Sequence, residues 1–129
     1  LWKDIKAATP DGIDCLFENV GGEIFDTLLG RMNAFSRIAL CGLIAQYNTE
    51  PYPMRNIGSV LMNRIKMQGF IVSEHMERWP VALAELGQGV ASGRIKYRET
   101  VAQGLENAPQ AFIGLLKGAN LGKQLVKLI

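Results

Sequence analysis

The sequence predicts an α/β fold built on a parallel sheet, and three observations support this. Short apolar runs typical of buried strands alternate with segments whose apolar residues recur at the spacing of a helix face. Two of the strand-like runs lead directly into glycine, as the strands of βαβ units often do. The 129 residues are 48% hydrophobic and 20% charged, which is enough apolar surface for a packed core and excludes a disordered tail or a fibrous repeat.

The first part of the chain predicts a helix, a strand and a second helix. Trp2–Ala8 has the pattern of a helix end, and Pro10-Asp11-Gly12 terminates it. Ile13–Glu18 is a short apolar run that fits a buried strand and ends at the turn Asn19-Val20-Gly21-Gly22. Residues 23–32 carry apolar side chains at fourfold spacing, which predicts an amphipathic helix.

The middle of the chain repeats this alternation. Residues 37–41 predict a second buried strand, which is followed by a polar loop over residues 46–53. Residues 57–65 are helical by pattern, and residues 67–72 predict a third strand. Trp79–Ala91 predicts a further helix, with a proline in its first turn, where a helix tolerates it.

The pattern changes from about Gly93 onward. Residues 97–102 alternate between polar and apolar positions, which predicts an antiparallel edge strand. Residues 106–116 predict a short helix, and residues 122–129 alternate again. The tail is therefore expected to be organised separately from the segments before it.

Charge and hydropathy exclude several classes of partner. The net charge is only +2, from 14 basic and 12 acidic residues that are scattered along the chain, so neither nucleic acid nor a membrane is an expected partner. No stretch approaches the roughly 20 apolar residues of a membrane helix. The charged, amphipathic start of the chain lacks the pattern of a signal peptide, and we expect a cytoplasmic protein.

The cysteines and the single histidine predict no metal site. Cys15 and Cys41 each lie in an apolar, strand-like run, so we expect buried free thiols in a reducing compartment. His75 is distant from both in sequence, and no zinc-ligand spacing exists. We expect His75 to be a surface residue.

The loops after the predicted strands form the candidate binding site, because parallel sheets bind ligands at the carboxyl ends of their strands. Glycines near Asn19 let a ligand approach the backbone, and the side-chain amide of Asn19 offers a donor and an acceptor. The alternative is a tight turn with Asn19 as a helix N-cap. In the second loop, Leu43 and Ile44 can pack on a flat ring and Tyr47 can hydrogen-bond a cofactor, although an ordinary surface loop fits equally well. Spacing alone does not decide whether Asn120, between glycines in the tail, contacts a ligand or belongs to a helix stop that leads into a strand.

The glycine-rich fingerprint that binds a dinucleotide pyrophosphate is absent from the chain. A whole Rossmann domain carries such a turn after its first strand. The sequence therefore predicts the second half of a Rossmann-type sheet with flanking helices.

Seven segments spread over essentially the whole chain resemble the medium-chain dehydrogenase/reductase superfamily. In order, they are Phe17-Glu18-Asn19-Val20-Gly21-Gly22, Arg37-Ile38-Ala39-Leu40-Cys41-Gly42, Gln46-Tyr47-Asn48, Met67-Gln68-Gly69-Phe70-Ile71-Val72, Gly93-Arg94-Ile95-Lys96-Tyr97, Gly104-Leu105-Glu106-Asn107-Ala108-Pro109 and Leu115-Leu116-Lys117-Gly118-Ala119-Asn120-Leu121-Gly122-Lys123. The resemblance is closest to the zinc-independent branch that includes prostaglandin reductase, leukotriene B4 12-hydroxydehydrogenase and bacterial curcumin reductase-like enzymes.

This resemblance implies an NADP(H)-dependent oxidoreductase. Members of the branch reduce the C=C bond of α,β-unsaturated ketones and aldehydes by hydride transfer from NADPH, use no metal and usually form homodimers. They combine a Rossmann domain with a GroES-like domain. Residues 1–92 would be the C-terminal half of the Rossmann domain, and residues 93–129 a segment returning to a largely absent GroES-like domain. Such a fragment is expected to be inactive alone and to self-associate.

The resemblance also implies a set of cofactor-binding residues: Asn19, Val20, Gly21, Cys41, Gly42, Leu43, Ile44, Tyr47, Phe70, Ile71, Val72 and Asn120. Asn19 would contact the cofactor at the first strand end, and the second loop would line the nicotinamide. Phe70 and its two successors would bracket the nicotinamide amide, and Asn120 would hydrogen-bond the cofactor. No catalytic residue is assigned, because some relatives carry a tyrosine where this chain has Met62; Tyr47 is the candidate contact to substrate or cofactor.

Two other functions stay open at this point. One is a non-catalytic α/β module for dimerisation or nucleotide sensing, and the other is a quinone reductase or alcohol dehydrogenase of the same superfamily. The residues that select NADP over NAD lie upstream in family members, so the preference for NADP is implied by the resemblance alone.

Overall fold

A computed structural model describes residues 1–129, and the chain divides into two compact units, Leu1–Glu74 and His75–Ile129. The first unit contains α1 (Trp2–Ala8), β1 (Ile13–Glu18), α2 (Gly22–Leu29), β2 (Met32–Leu40), α3 (Gly58–Met62) and β3 (Lys66–Gly69). The second unit contains α4 (Trp79–Ala91), β4 (Glu99–Gln103), α5 (Ala108–Leu116) and β5 (Lys123–Lys127). Short 3-10 helices occupy Ile44–Gln46 and Leu105–Asn107, and two short 3-10 helices separated by a kink at His75 occupy Val72–Arg78.

The sheet of the first unit has the order β1-β2-β3, and both strand pairs are parallel. This confirms the predicted α/β fold with a parallel sheet. Glu18 pairs with Leu40, and Leu40 pairs with Gly69. The last residues of the three strands therefore stand in one row, and the loops that follow them leave the sheet from the same edge.

The core of the first unit lies on one face of this sheet. Alternate strand residues point to opposite faces, so Leu16 and Glu18 of β1 lie on the side that α2 covers, whereas Cys15 and Phe17 point the other way. The buried apolar side chains are Phe25, Leu29, Met32, Ile38 and Ile65. The opposite face is open, and the side chain of Phe17 is 65% exposed.

The open face corrects the prediction for the thiols. Both cysteines are free, but Cys15 is exposed and Cys41 is only half-buried. The apolar run around Cys15 was consistent with a strand covered on both faces. In the structure only the α2 side of β1 is covered, so the thiol of Cys15 lies on the uncovered side.

In the first unit, the bounds of four elements differ from the sequence-based prediction. The strand predicted over residues 37–41 is Met32–Leu40. The helix predicted over residues 23–32 ends at Leu29, because Met32 begins β2 and pairs with Ile13. The helix predicted over residues 57–65 is only Gly58–Met62. The third strand is Lys66–Gly69, because the chain after it turns into a 3-10 helix from Val72.

In the second unit, β4 and β5 pair in parallel, from Glu99 with Lys123 to Gln103 with Lys127. The prediction of an antiparallel strand over residues 97–102 is therefore wrong. Alternation of polar and apolar residues reports that one face of a strand is covered, and it does not report strand direction. Here α5 connects β4 to β5 and packs against β5, so the three elements form a βαβ unit.

The boundary predicted between residues 92 and 93 separates two domains of the intact protein, and it stays a prediction. The two compact units instead meet between Glu74 and His75. None of the helices combines the length and apolarity needed to cross a lipid bilayer.

Candidate functional site

A cleft of about 450 Å³ lies at the carboxyl edge of the parallel sheet. The loop after β2 contributes Cys41, Gly42, Leu43 and Tyr47 to its lining. The segment after β3 contributes Phe70, Ile71 and Glu74. Six residues predicted to bind a cofactor therefore line one cleft, at the edge where parallel sheets bind ligands.

Buried Glu18 holds the turn after β1. Its side chain is only 3% exposed, and Oε1 accepts hydrogen bonds from the backbone N–H groups of Val20 and Gly21, both at 2.6 Å. Gly21 adopts φ 78°, which a residue with a side chain rarely tolerates, and it is the N-cap of α2. The alternative in which Asn19 caps this helix is therefore wrong, and its amide is not used as a cap.

The turn after β1 and the loop after β2 form one continuous surface. The N–H of Cys41 donates to the Glu18 carbonyl at 2.8 Å, and the N–H of Ala45 donates to the Val20 carbonyl at 2.8 Å. The N–H of Ile44 reaches the Asn19 carbonyl at 3.5 Å. These bonds fix Asn19 beside the cleft.

Gly42 allows Asn19 and Tyr47 to approach the same point. A Cβ at Gly42 would lie less than 3.0 Å from Oδ1 of Asn19, closer than real Cβ contacts come, and 3.5 Å from the hydroxyl of Tyr47. The absence of a side chain at Gly42 thus leaves room for an amide and a phenol at the mouth of the cleft. Tyr47 itself is 67% exposed, so its hydroxyl is accessible to a ligand.

The wall after β3 is aromatic and apolar. The N–H of Phe70 donates to the Leu40 carbonyl at 3.1 Å, which continues the sheet by one residue. The Phe70 ring lies 6.2 Å from the ring of Phe17, tilted by 57°. The next residue, Ile71, is exposed and donates its N–H to Oε2 of Glu74 at 2.9 Å.

Asp26 anchors the end of the loop that carries Tyr47. This carboxylate, 3% exposed on α2, accepts hydrogen bonds from the backbone N–H groups of Arg55 and Asn56 at 2.9 and 2.8 Å. The Asn56 side chain also donates to the Asp26 carbonyl at 2.9 Å. Neither buried carboxylate is among the site residues that the sequence predicts. The available signal was their position: Glu18 has the inward parity of Leu16 on β1, and Asp26 is one turn from Leu29 on the buried face of α2.

Asn120 and Met62 are not part of this lining. Asn120 belongs to the second unit, where its Nδ2 donates to the Gly122 carbonyl at 2.7 Å. Its role toward a cofactor stays a prediction. Met62 is exposed at the end of α3.

A sequence model of the zinc-binding dehydrogenase family matches residues 1–88, which is more than half of the chain. The chain belongs to this family. It is 45% identical to the NADPH-dependent curcumin reductase of Escherichia coli, covering 98% of this chain and 39% of that protein. It is also 45% identical to prostaglandin reductase 1 of Rattus norvegicus, covering 98% and 40%.

Solved structures agree with this family assignment. The crystal structure of CurA from Vibrio vulnificus in complex with NADPH superposes with a TM-score of 0.86 at 44% identity, covering 99% of this chain and 40% of that one. The resemblance seen in the sequence and the predicted fold are both confirmed. This chain of the dehydrogenase family spans about two fifths of the length of the relatives it matches.

Although the family is described as zinc-binding, the residues of this chain do not fit a zinc site. No group of three or more His, Cys, Asp or Glu side chains is placed to hold a metal ion. His75 is exposed and lies 3.4 Å from the carboxylate of Glu77. A zinc site needs three or four converging ligands, and residues 1–129 do not bring such a set together.

Proposed function

We propose that the intact protein reduces the C=C bond of α,β-unsaturated ketones and aldehydes with NADPH. The observation that carries this proposal is the cleft at the carboxyl edge. Tyr47 and Phe70 line this cleft from two different loops, and Gly42 leaves space for Asn19. Relatives with these reactions in their names support it. One is the NADP-dependent 2-alkenal reductase of Nicotiana tabacum, which is 43% identical over 95% of this chain.

The residues of the cleft suit a flat, partly polar ring such as nicotinamide. Leu43 and Phe70 supply apolar surface, and the Tyr47 hydroxyl can both donate and accept a hydrogen bond. The turn Asn19-Val20-Gly21 would bind the cofactor beside the first strand, with Ile44, Ile71 and Val72 completing the wall and Asn120 approaching from the tail. When bound, NADPH supplies the hydride; the protein binds and orients donor and acceptor.

The proposal extends to the organisation of the intact protein. Residues 1–92 would complete a Rossmann domain, and residues 93–129 would join a GroES-like domain. The chain carries no glycine-rich pyrophosphate turn, so residues 1–129 alone are expected to bind NADPH weakly and to show no turnover. We also propose a cytoplasmic homodimer.

The test is a substrate panel on the full-length protein. A 2-alkenal, an α,β-unsaturated ketone, a quinone and a primary alcohol are each offered with the matching cofactor, and saturated products are identified by mass spectrometry. We expect saturation of the enal and the enone with NADPH. Turnover of the quinone or the alcohol alone would favour the other enzymes of the superfamily. Cofactor binding without any turnover would favour a sensing module.

A further inference from the structure

The cleft at the sheet edge has one charged side chain in its lining, and it is an acid. The residues from the loop after β2 are apolar apart from the Tyr47 hydroxyl, and those from the segment after β3 are apolar apart from Glu74. No lysine, arginine or histidine is among them. Any ligand in this cleft therefore experiences a negative charge that no neighbouring cation in the lining offsets.

Local hydrogen bonds hold the carboxylate of Glu74 at this place. Its Oε2 accepts the N–H of Ile71 at 2.9 Å, and its own N–H donates to the Ile71 carbonyl at 3.0 Å. These reciprocal bonds close a small ring at the end of β3. The Ile71 N–H occupies only one of the two carboxylate oxygens, and Glu74 is exposed, so the side chain is accessible to a ligand.

A nicotinamide ring presents two charge states to this carboxylate. The reduced ring is neutral and the oxidised ring carries one positive charge, whereas the rest of the cofactor is the same in both. A nearby carboxylate therefore stabilises the oxidised form more than the reduced one. Glu74 is exposed and the attraction is partly screened by water and salt, so we expect a preference of about three- to fivefold.

We propose that Glu74 is a specificity-determining residue that selects between the redox states of the nicotinamide, an inference that rests on the proposed function. Tighter binding of the oxidised ring makes hydride donation from the bound reduced ring more favourable, because the product of the transfer is the form that the carboxylate stabilises. The same preference slows release of the oxidised product.

The test compares dissociation constants in the full-length protein. NADPH and NADP⁺ are titrated by calorimetry against the wild type, Glu74→Gln and Glu77→Gln. Glutamine keeps an acceptor for the Ile71 N–H and removes only the charge. Glu77 is also an exposed acid; it follows the kink at His75 and does not line the cleft, so it serves as the control.

We expect the ratio of the NADP⁺ constant to the NADPH constant to rise about three- to fivefold in Glu74→Gln and to stay unchanged in Glu77→Gln. Glu74→Lys should raise it further, and high salt should reduce every difference. An unchanged ratio in Glu74→Gln, or an equal change in the control, overturns the inference while the proposed function stands. A wild type that binds neither nucleotide refutes the proposed function itself.

Discussion

Replacing Gly42 with alanine tests the geometry of the candidate site most directly. The new methyl group would lie within 3.0 Å of Oδ1 of Asn19, so one of the two must move. The end of the exposed Asn19 side chain moves more easily than the backbone of two hydrogen-bonded loops. We therefore expect the substitution to rotate Asn19 away from the cleft, at a cost in stability of about 0.5–1.5 kcal/mol for the displaced side chain.

The effect on cofactor binding should exceed the effect on stability. If the Asn19 amide donates or accepts one hydrogen bond to the cofactor, its loss weakens binding by about 1 kcal/mol, or roughly fivefold. The assay is a fluorescence titration of NADPH on the full-length protein, combined with thermal unfolding of the same samples.

Gly58→Ala is the matched control. A Cβ at Gly58 meets nothing within 4 Å, and this glycine begins α3, so alanine there should leave NADPH binding unchanged and raise stability by roughly 0.5–1 kcal/mol. Wild-type affinity in Gly42→Ala would show that Asn19 does not contact the cofactor. A loss of stability above about 3 kcal/mol in Gly42→Ala would show that the loops, rather than one side chain, absorb the clash.

Three further substitutions address the groups that support the cleft. Glu18→Ala leaves two backbone N–H groups of a partly buried turn without their acceptor, and urea unfolding should show a free energy of unfolding lower by about 2–4 kcal/mol. Asp26→Ala removes the acceptor for the N–H groups of Arg55 and Asn56. We expect a free energy of unfolding lower by about 2–3 kcal/mol and faster proteolysis of the loop after Tyr47. An unaltered cleavage pattern would contradict the anchoring role. Tyr47→Phe keeps the ring and removes the exposed hydroxyl, so kcat/KM should fall about five- to tenfold with an unchanged melting temperature.

The parallel sheet was predictable because its strands are short apolar runs separated by helical segments. The boundaries were less so, since one apolar residue fits two patterns. Met32 continues the fourfold spacing of α2 and is equally suited to the buried face of β2. The pairing of Met32 with Ile13 decides in favour of the strand. Gly30, which lies between the end of α2 and Met32, disfavours a longer helix.

The sequence predicts where the candidate site lies, and it does not predict the buried carboxylates that hold its loops. Strand ends and glycines identify the loops that carry Asn19, Tyr47 and Phe70, since the topology of a parallel sheet fixes the edge. The roles of Glu18 and Asp26 depend on backbone N–H groups brought to them by the fold, and in the case of Asp26 these come from about 30 residues away along the chain. Sequence spacing carries no direct record of such long-range bonds.

The uncovered side of β1 gives this protein a chemical reporter. The thiol of Cys15 is exposed whereas that of Cys41 is half-buried, so an alkylating reagent should label the first much faster than the second. The labelling rate of Cys15 then records whether a further layer of polypeptide shields that side of the sheet. Comparing residues 1–129 with the full-length protein by mass spectrometry would show where such a layer originates.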